Sequence, residues 1–280
     1  MTTSSGTITE IARAKINLTL HVGRSISKGR FQGYHPLNSL VVFADFGDEL
    51  VFTSDKPPVF EIKGPFSQGL KANSGNLVSQ AMRICGATSQ SVRLEKNIPV
   101  SAGLGGGSAN AAAVLRRFDT ESRVDASSLG ADVPVCRVSH TSLMQGIGEK
   151  VTVLPNLGQL PAVLVNPLVP VSTAQIFAAF DSKDPENLPR QNAAEGTLLQ
   201  RTLTGQNDLQ QIAAHLVPDI LVVIRLIEEQ EGCQLARMSG SGASCFGLFD
   251  TDDAAARAAD RLQTQRPEWW VKSCQLGDKP

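Results

Sequence analysis

From residue 99 the chain reads Pro99-Val100-Ser101-Ala102-Gly103-Leu104-Gly105-Gly106-Gly107-Ser108-Ala109-Asn110, and alanines follow at once. Four of the five residues 103–107 are glycine, which lets the backbone approach a ligand closely and adopt conformations closed to other residues. The alanine-rich stretch 108–118 predicts a helix. Its first N–H groups have no intrahelical partner, and the positive end of its dipole meets the loop. Loop and helix start together make an anion site, so the sequence predicts a phosphate cradle over residues 103–107. The pattern is not a Walker loop, because no Gly-Lys-Ser/Thr follows. It is not a dinucleotide fingerprint either, since no buried strand leads directly into it and no βαβ unit surrounds it. A flexible linker is the other reading of so many glycines, but a linker would not open directly into a helix.

Around this loop the hydrophobic pattern mixes strands and helices. Strands are predicted for residues 8–23, where Ile16, Leu18 and Leu20 alternate with polar residues, and for 40–43 and 49–53 on either side of a Gly47-Asp48 turn. Shorter strands fit 59–62, 91–94, 162–165, 236–239 and 244–249. Helices fit 77–85, started by Asn73-Ser74-Gly75-Asn76, and 173–180, 216–231 and 253–264. The order shows no regular βαβα alternation, which points to the α+β class. A Pro- and Gly-bearing segment at 154–160 marks a domain boundary, dividing the chain into 1–155 and 156–280.

Composition narrows the function. A formal net charge of −1 and a pI of about 6.4 give no basic face for nucleic acid. No apolar run approaches the ~20 residues that cross a bilayer, and residues 1–9 lack the apolar core of a secretory signal. Five cysteines without C-x-x-C spacing read as reduced thiols of a cytoplasmic protein. Cys136 and Cys245, in apolar surroundings, read as small buried hydrophobes. No residue pattern fixes an oligomeric state.

Three further motifs carry polar groups. In Ala14-Lys15-Ile16-Asn17-Leu18, Lys15 and Asn17 share one strand face, either solvated or functional. In Gly130-Ala131-Asp132-Val133-Pro134, Asp132 precedes a strand-like apolar stretch and is a turn or capping residue, or a functional carboxylate. Ser239-Gly240-Ser241-Gly242-Ala243 is a second glycine loop, either a simple turn or a backbone wall of a pocket.

The order A-K-I-N-L, P-x-x-x-G-L-G-G-G-S-A-N, L-G-A-D-V-P, S-G-S-G-A resembles the GHMP kinase superfamily, which includes galactose, homoserine and mevalonate kinases. The resemblance runs from about residue 12 to 249. Gly33-Tyr34-His35 narrows it to members that phosphorylate a cytidine diphosphate-linked branched sugar alcohol in isoprenoid biosynthesis.

That resemblance implies a two-domain α+β fold, ATP-binding in its N-terminal domain, with the active site in the cleft between domains. It implies ATP as donor and Mg2+ as cofactor. Residue by residue, it makes Asp132 the base for the acceptor hydroxyl and sets Lys15 beside it to polarise the acceptor oxygen. Asn17 would face the acceptor hydroxyls, His35 would read the cytosine edge and Tyr34 would pack on that ring. Gly240 and Ser241 would complete the acceptor side. Asn76 and Lys96 would lie near adenine. Gly103, Gly105, Gly106, Gly107 and Ser108 would cradle the phosphates, with Pro99, Leu104 and Asn110 in the same ATP site and Ser108 in the magnesium environment. Another small alcohol (mevalonate or homoserine) as acceptor, or a non-catalytic binding protein of the same fold, are the competing readings.

The chain departs from the superfamily pattern in three places. Residues 24–32 form a longer, more basic stretch than the usual turn before Gly-Tyr-His. Only about ten residues join the alanine-rich helix to Leu129, where a longer helical connection is usual. Thr204-Gly205-Gln206 precedes Asn207-Asp208 where many relatives carry an aromatic.

Overall fold

The computed structural model describes residues 7–54, 57–155 and 158–278. Residues 1–6 of the polar N-terminus, 55 and 56, and residues 156 and 157 of the expected boundary lie outside the described residues.

The chain begins with β1 (Ile8–Asn17) and the short β2 (His21–Val22), both antiparallel to a long β3 (Leu37–Thr53). The turn expected at Gly47-Asp48 is absent, and β3 runs through it unbroken. Gly47 is needed there because β1 passes so close that a Cβ would lie 2.1 Å from the Ala12 carbonyl oxygen. The β1–β3 register also shifts between Arg13 and Lys15. The fully buried Asp48 is an anchor for the chain just beyond residue 95, as described below.

Next come β4 (Phe60–Lys63), α1 (Leu77–Ile84) and β5 (Ser91–Glu95). Asn76 caps α1 through its side chain, which accepts from Val78 N–H at 3.0 Å. Helix α2 (Gly106–Phe118) starts two residues earlier than the sequence pattern suggested, because Gly105 takes the left-handed cap position (φ +63°). Its buried alanines at 109 and 111–113 are small enough to let the helix lie closely on α1 and the Phe43/Phe52 face of β3.

After α2 a 3-10 turn (Ala126–Leu129) leads to α3 (Val133–Val138). The stretch after Asp132 is therefore a helix and not a strand. Pro134 sits in its first turn, where the missing N–H costs nothing. Strands β6 (Ser142–Gly146), β7 (Lys150–Val153) and β8 (Gln159–Asn166) follow.

The rest of the chain supplies α4 (Thr173–Asp181), α5 (Leu198–Leu203), α6 (Gln210–Leu216), α7 (Asp219–Glu228), β9 (Cys233–Met238), β10 (Cys245–Phe249), α8 (Asp252–Gln265) and β11 (Trp270–Gly277). The helix expected over 216–231 is observed as α7, and its start is later than expected because Leu216 ends α6 and Pro218 stands at the α7 cap. Proline lacks the N–H that a continuous helix would need there.

The strand path is β4-β5-β3-β11-β8-β10-β9. The C-terminal strand β11 pairs along β8 and touches β3 at Leu276–Ala44, so it joins the earlier and later strands. The result is an α+β fold of two domains. Helices α4, α6, α7 and α8 cover the later strands around Ile220, Val223 and Phe249. A further cluster, with Ile16, Leu18, Leu104 and Phe246, lies between the two sets. All five cysteines are free thiols, and Cys136 and Cys245 are buried, as expected. Burial pushes the Cys136 thiol up to about 12, reinforced by the nearby Asp132 charge. No helix among the described residues is long and apolar enough to cross a membrane.

Candidate active site

The glycine loop is held by the second glycine loop. At Gly103 (φ +73°) a Cβ would lie 2.5 Å from the Ser239 carbonyl oxygen and 2.8 Å from that of Gly242. Only glycine satisfies both the left-handed conformation and that approach. Ser244 N–H donates to Ala102 O (3.2 Å) and Ser239 Oγ to Gly103 O (3.2 Å), closing the contact. The Ser239–Ala243 segment is therefore a wall against the first loop.

Behind the loop lies a buried ion pair. Lys96 Nζ donates to Asp48 Oδ2 at 2.5 Å, and Asp48 Oδ1 accepts from the N–H groups of Asn97 (2.7 Å) and Ile98 (2.8 Å). Burial pulls the Lys96 ammonium below its ordinary value, and Asp48 opposes that. A Cβ on Gly106 would lie 3.0 Å from Lys96 Nζ, so the cation sits directly under the start of α2.

A cavity of about 640 Å3 opens over the loop. Pro99, Gly103, Gly105, Gly106, Gly107 and Ser108 line it, and Asn76, Lys96 and Asn110 lie on the same wall. Asn110 is buried with its Oδ1 unpartnered among the described residues. Leu104 is not on the surface of this cavity. It is buried in the core and accepts Lys15 N–H through its carbonyl at 2.9 Å.

On the other side of the loop a second cavity, of about 670 Å3, holds Lys15, Asn17, Tyr34, His35, Asp132, Gly240 and Ser241. Ser108 lines both cavities, so they meet at the first turn of α2. Lys15 Nζ donates to Asp132 Oδ2 at 2.9 Å, with the lysine buried and the carboxylate about one third exposed. Asp132 stands at the cap position of α3 but makes no capping bond; its side chain turns to Lys15 instead. Asn17 Nδ2 donates to Ser39 Oγ (2.7 Å), and its buried Oδ1 has no partner among the described residues, so this amide has acceptor capacity left.

The short connection to Asp132 is anchored at several points. Asp119 accepts from Arg123 N–H, Val124 N–H and Arg137 Nη1, and Arg116 donates to Cys136 O and Ile11 O. Burial alone would raise the Asp119 carboxyl. The two backbone N–H groups and Arg137 outweigh it and hold the group below its ordinary value.

The basic stretch 24–32 folds back as a hairpin, with Ile26 N–H to Tyr34 O at 2.7 Å and Gly33 N–H to Ile26 O at 2.9 Å. It presents Tyr34 half exposed and His35 nearly buried. His35 packs on Phe177 of α4 (centroids 4.6 Å apart) and its Nε2 meets Asp181 Oδ1 at 2.9 Å. Burial pushes the Asp181 carboxyl up, but hydrogen bonds from His35 and Ser25 and the His35 charge bring it below its ordinary value.

Sequence reasoning missed Phe177, Asp181 and Asp48. Thr173, Phe177 and Asp181 recur at i, i+4, i+8 on one face of α4, and that stripe was the available signal. The segment before Asn207 has no room for the aromatic that many relatives carry at this point. Gly205 packs so tightly on Thr19 that a Cβ would lie 2.3 Å from Thr19 Cγ2, and Phe177 furnishes the ring in the second cavity.

Residues 76–134 match the GHMP kinases N terminal domain, and 176–268 match GHMP kinases C terminal. The chain is 44% identical to the 4-diphosphocytidyl-2-C-methyl-D-erythritol kinase of Dinoroseobacter shibae, over 94% of this chain and 93% of that one. It is 41% identical to that of Rhizobium etli, over 95% and 94%. A crystal structure of 4-(cytidine 5'-diphospho)-2C-methyl-D-erythritol kinase superposes with a TM-score of 0.78 at 29% identity, covering 97% of this chain and 100% of that chain. Homoserine kinase from Cytophaga hutchinsonii (TM-score 0.65, 16% identity, 100% and 97% covered) shares the fold. With near full-length identity of this order, the chain belongs to the GHMP kinases, in the family of 4-diphosphocytidyl-2-C-methyl-D-erythritol kinases.

Proposed function

We infer that the protein transfers the γ-phosphoryl group of ATP to a hydroxyl of 4-diphosphocytidyl-2-C-methyl-D-erythritol, giving the 2-phosphate and ADP, in isoprenoid precursor biosynthesis in the cytoplasm. The observation that carries this reading is the meeting of two cavities at Ser108, with the Lys15–Asp132 pair on the acceptor side. Phosphoryl transfer demands alignment and charge stabilisation more than covalent chemistry by the protein. A cleft with a phosphate cradle on one side and a lysine–carboxylate pair on the other meets that demand.

In this reading the ATP-binding unit is 1–155 and the second unit 156–280. The first N–H groups of α2 and the glycine loop bind the phosphates. Asp132 takes the proton of the acceptor hydroxyl, and Lys15 holds that carboxylate and polarises the acceptor oxygen. The free Oδ1 of Asn17 accepts from a substrate hydroxyl. Tyr34 and Phe177 wall the cytosine, while His35, with Nε2 committed to Asp181, reads the base edge through Nδ1.

Among the described residues no group of three or more His, Cys, Asp or Glu is placed to hold a metal ion. The donor set instead fits an ion held mainly by nucleotide phosphates and water, with the Ser108 hydroxyl alongside. Magnesium bound there neutralises phosphate charge.

The test is ADP release by the purified protein with ATP, magnesium and the cytidyl substrate, run in parallel with mevalonate and homoserine. Turnover only with the cytidyl substrate is expected. A folded protein that turns over mevalonate or homoserine instead would overturn the acceptor assignment, and one that turns over none of the three would overturn the activity.

A further inference from the structure

A third cavity, of about 860 Å3, lies outside the kinase cleft between α4, α6 and β9. Its floor is Arg237 of β9, which is 7% exposed. Nη1 donates to Leu18 O (2.7 Å) and Thr202 O (3.0 Å), and Nη2 to Gly205 O (2.7 Å). A guanidinium has five N–H donors. Three are used, so Nε–H and one Nη2–H have no acceptor among the described residues.

No carboxylate balances this cation. Burial alone lowers Arg237 to about 10, with no opposing charge. Lys183 and His215 also line the cavity and make no ion pair among the described residues. The one carboxylate there, Asp208, is committed elsewhere. It accepts from Val22 N–H (2.9 Å) and Gln206 Nε2 (2.7 Å) and faces His21 at 3.6 Å. Unpaired buried charge is costly, and a charge-assisted bond to an anion is the strong remedy. The lining also has an apolar part, Ile212 and Leu216 of α6 and Leu235, two residues from Arg237 on β9.

We propose that this cavity is a second ligand site that takes a small organic anion, its phosphate or carboxylate head on Arg237 and its apolar group against Ile212, Leu216 and Leu235. Its wall is shared with the acceptor cavity. Phe177 and Asp181 of α4 face the acceptor cavity, while Ala179 and Phe180 of the same helix face this one. The site does not depend on the identity of the kinase substrate.

The chain has four histidines, so each ring can be followed separately by NMR. The full chain, saturated with ADP, is titrated with hexyl phosphate and, separately, with hexyltrimethylammonium. The His215 ring signals move saturably with hexyl phosphate and stay in place with the ammonium probe. Lys183→Glu, at an exposed position, raises the hexyl phosphate needed for half-saturation by about tenfold, with an unchanged melting temperature. Stationary His215 signals, equal movement with the cation, or an unaltered midpoint in Lys183→Glu would each overturn the site.

Discussion

Gly107→Ala separates the ligand role of the glycine loop from its structural role. Gly107 is the second residue of α2, and a Cβ there meets only Leu77 Cδ1, at 3.7 Å. That is an ordinary contact, so the unliganded protein accommodates the methyl. Replacing a helical glycine by alanine then raises stability by about 0.5–1 kcal/mol. The same methyl projects from a residue that lines the first cavity, beside N–H groups that have no intrahelical partner. If a phosphate oxygen takes one of these N–H groups, the methyl costs that charged hydrogen bond, about 1.5–3 kcal/mol. At 1.4 kcal/mol per decade this is roughly 10- to 150-fold in ATP affinity. Urea unfolding and calorimetric ATP titration measure the two effects on one sample. Gly103→Ala is the contrast. Its Cβ would lie 2.5 Å from backbone Ser239 O in a left-handed conformation, so stability falls by more than about 2 kcal/mol. Unchanged ATP affinity in a Gly107→Ala protein of normal or raised stability would refute the reasoning, because the glycine would then serve the helix start and not the nucleotide.

Asp132→Asn is expected to lower kcat by at least about 100-fold with ATP affinity nearly unchanged, and parallel loss of both would assign the residue a structural role. Lys96→Met strips the counter-charge from buried Asp48 and costs about 3–5 kcal/mol in urea unfolding, toward the lower figure because the Asn97 and Ile98 N–H groups remain bonded to it. Phe177→Ala raises KM for the cytidyl acceptor by about tenfold while KM for ATP stays put, as the loss of an aromatic wall requires. The depressed Asp181 carboxyl contributes stability that is complete above its unfolded value near 4 and is lost as pH falls through its lower folded value. Melting temperature against pH therefore drops less steeply over that acidic window in Asp181→Asn than in the parent.

The loop and its helix were legible because glycine and alanine act locally: four glycines and an alanine run state their own backbone behaviour. Lys15, Asn17 and Asp132 were legible as candidates only through their joint order along the chain. Each alone fits a solvated face or a cap, and what unites them is tertiary. The errors have the same origin. Gly47-Asp48 carries a turn signature, but β1 presses on Gly47 and the chain after β5 claims Asp48. Val133 to Val138 is rich in β-branched residues, yet tertiary packing under α2 and Pro134 in the first turn make it a helix. Strand β11 went unread because its partners, β8 and β3, are more than 100 residues away, and pairing at that range leaves no local pattern.

The connection from α2 to Asp132 shows why segment length alone did not foretell the site. Shortening a loop changes its closure entropy only slowly, so a short connection need not misplace what it carries. What fixes Asp132 is the set of groups that hold both ends. Arg116, in the last turn of α2, reaches Cys136 O in α3 and Ile11 O in β1. Arg137 reaches back from α3 to Asp119, just past α2. Arg13, one strand position from the Ala14-Lys15 pair, donates to Ser139 O at the end of α3 and to Phe43, Ala44 and Gly277 carbonyls. The helix bearing Asp132 and the strand bearing Lys15 are thereby tied to the same backbone by arginines that never enter the cavity. The 2.9 Å contact between the two side chains then follows from two rigid elements and not from the loop between them.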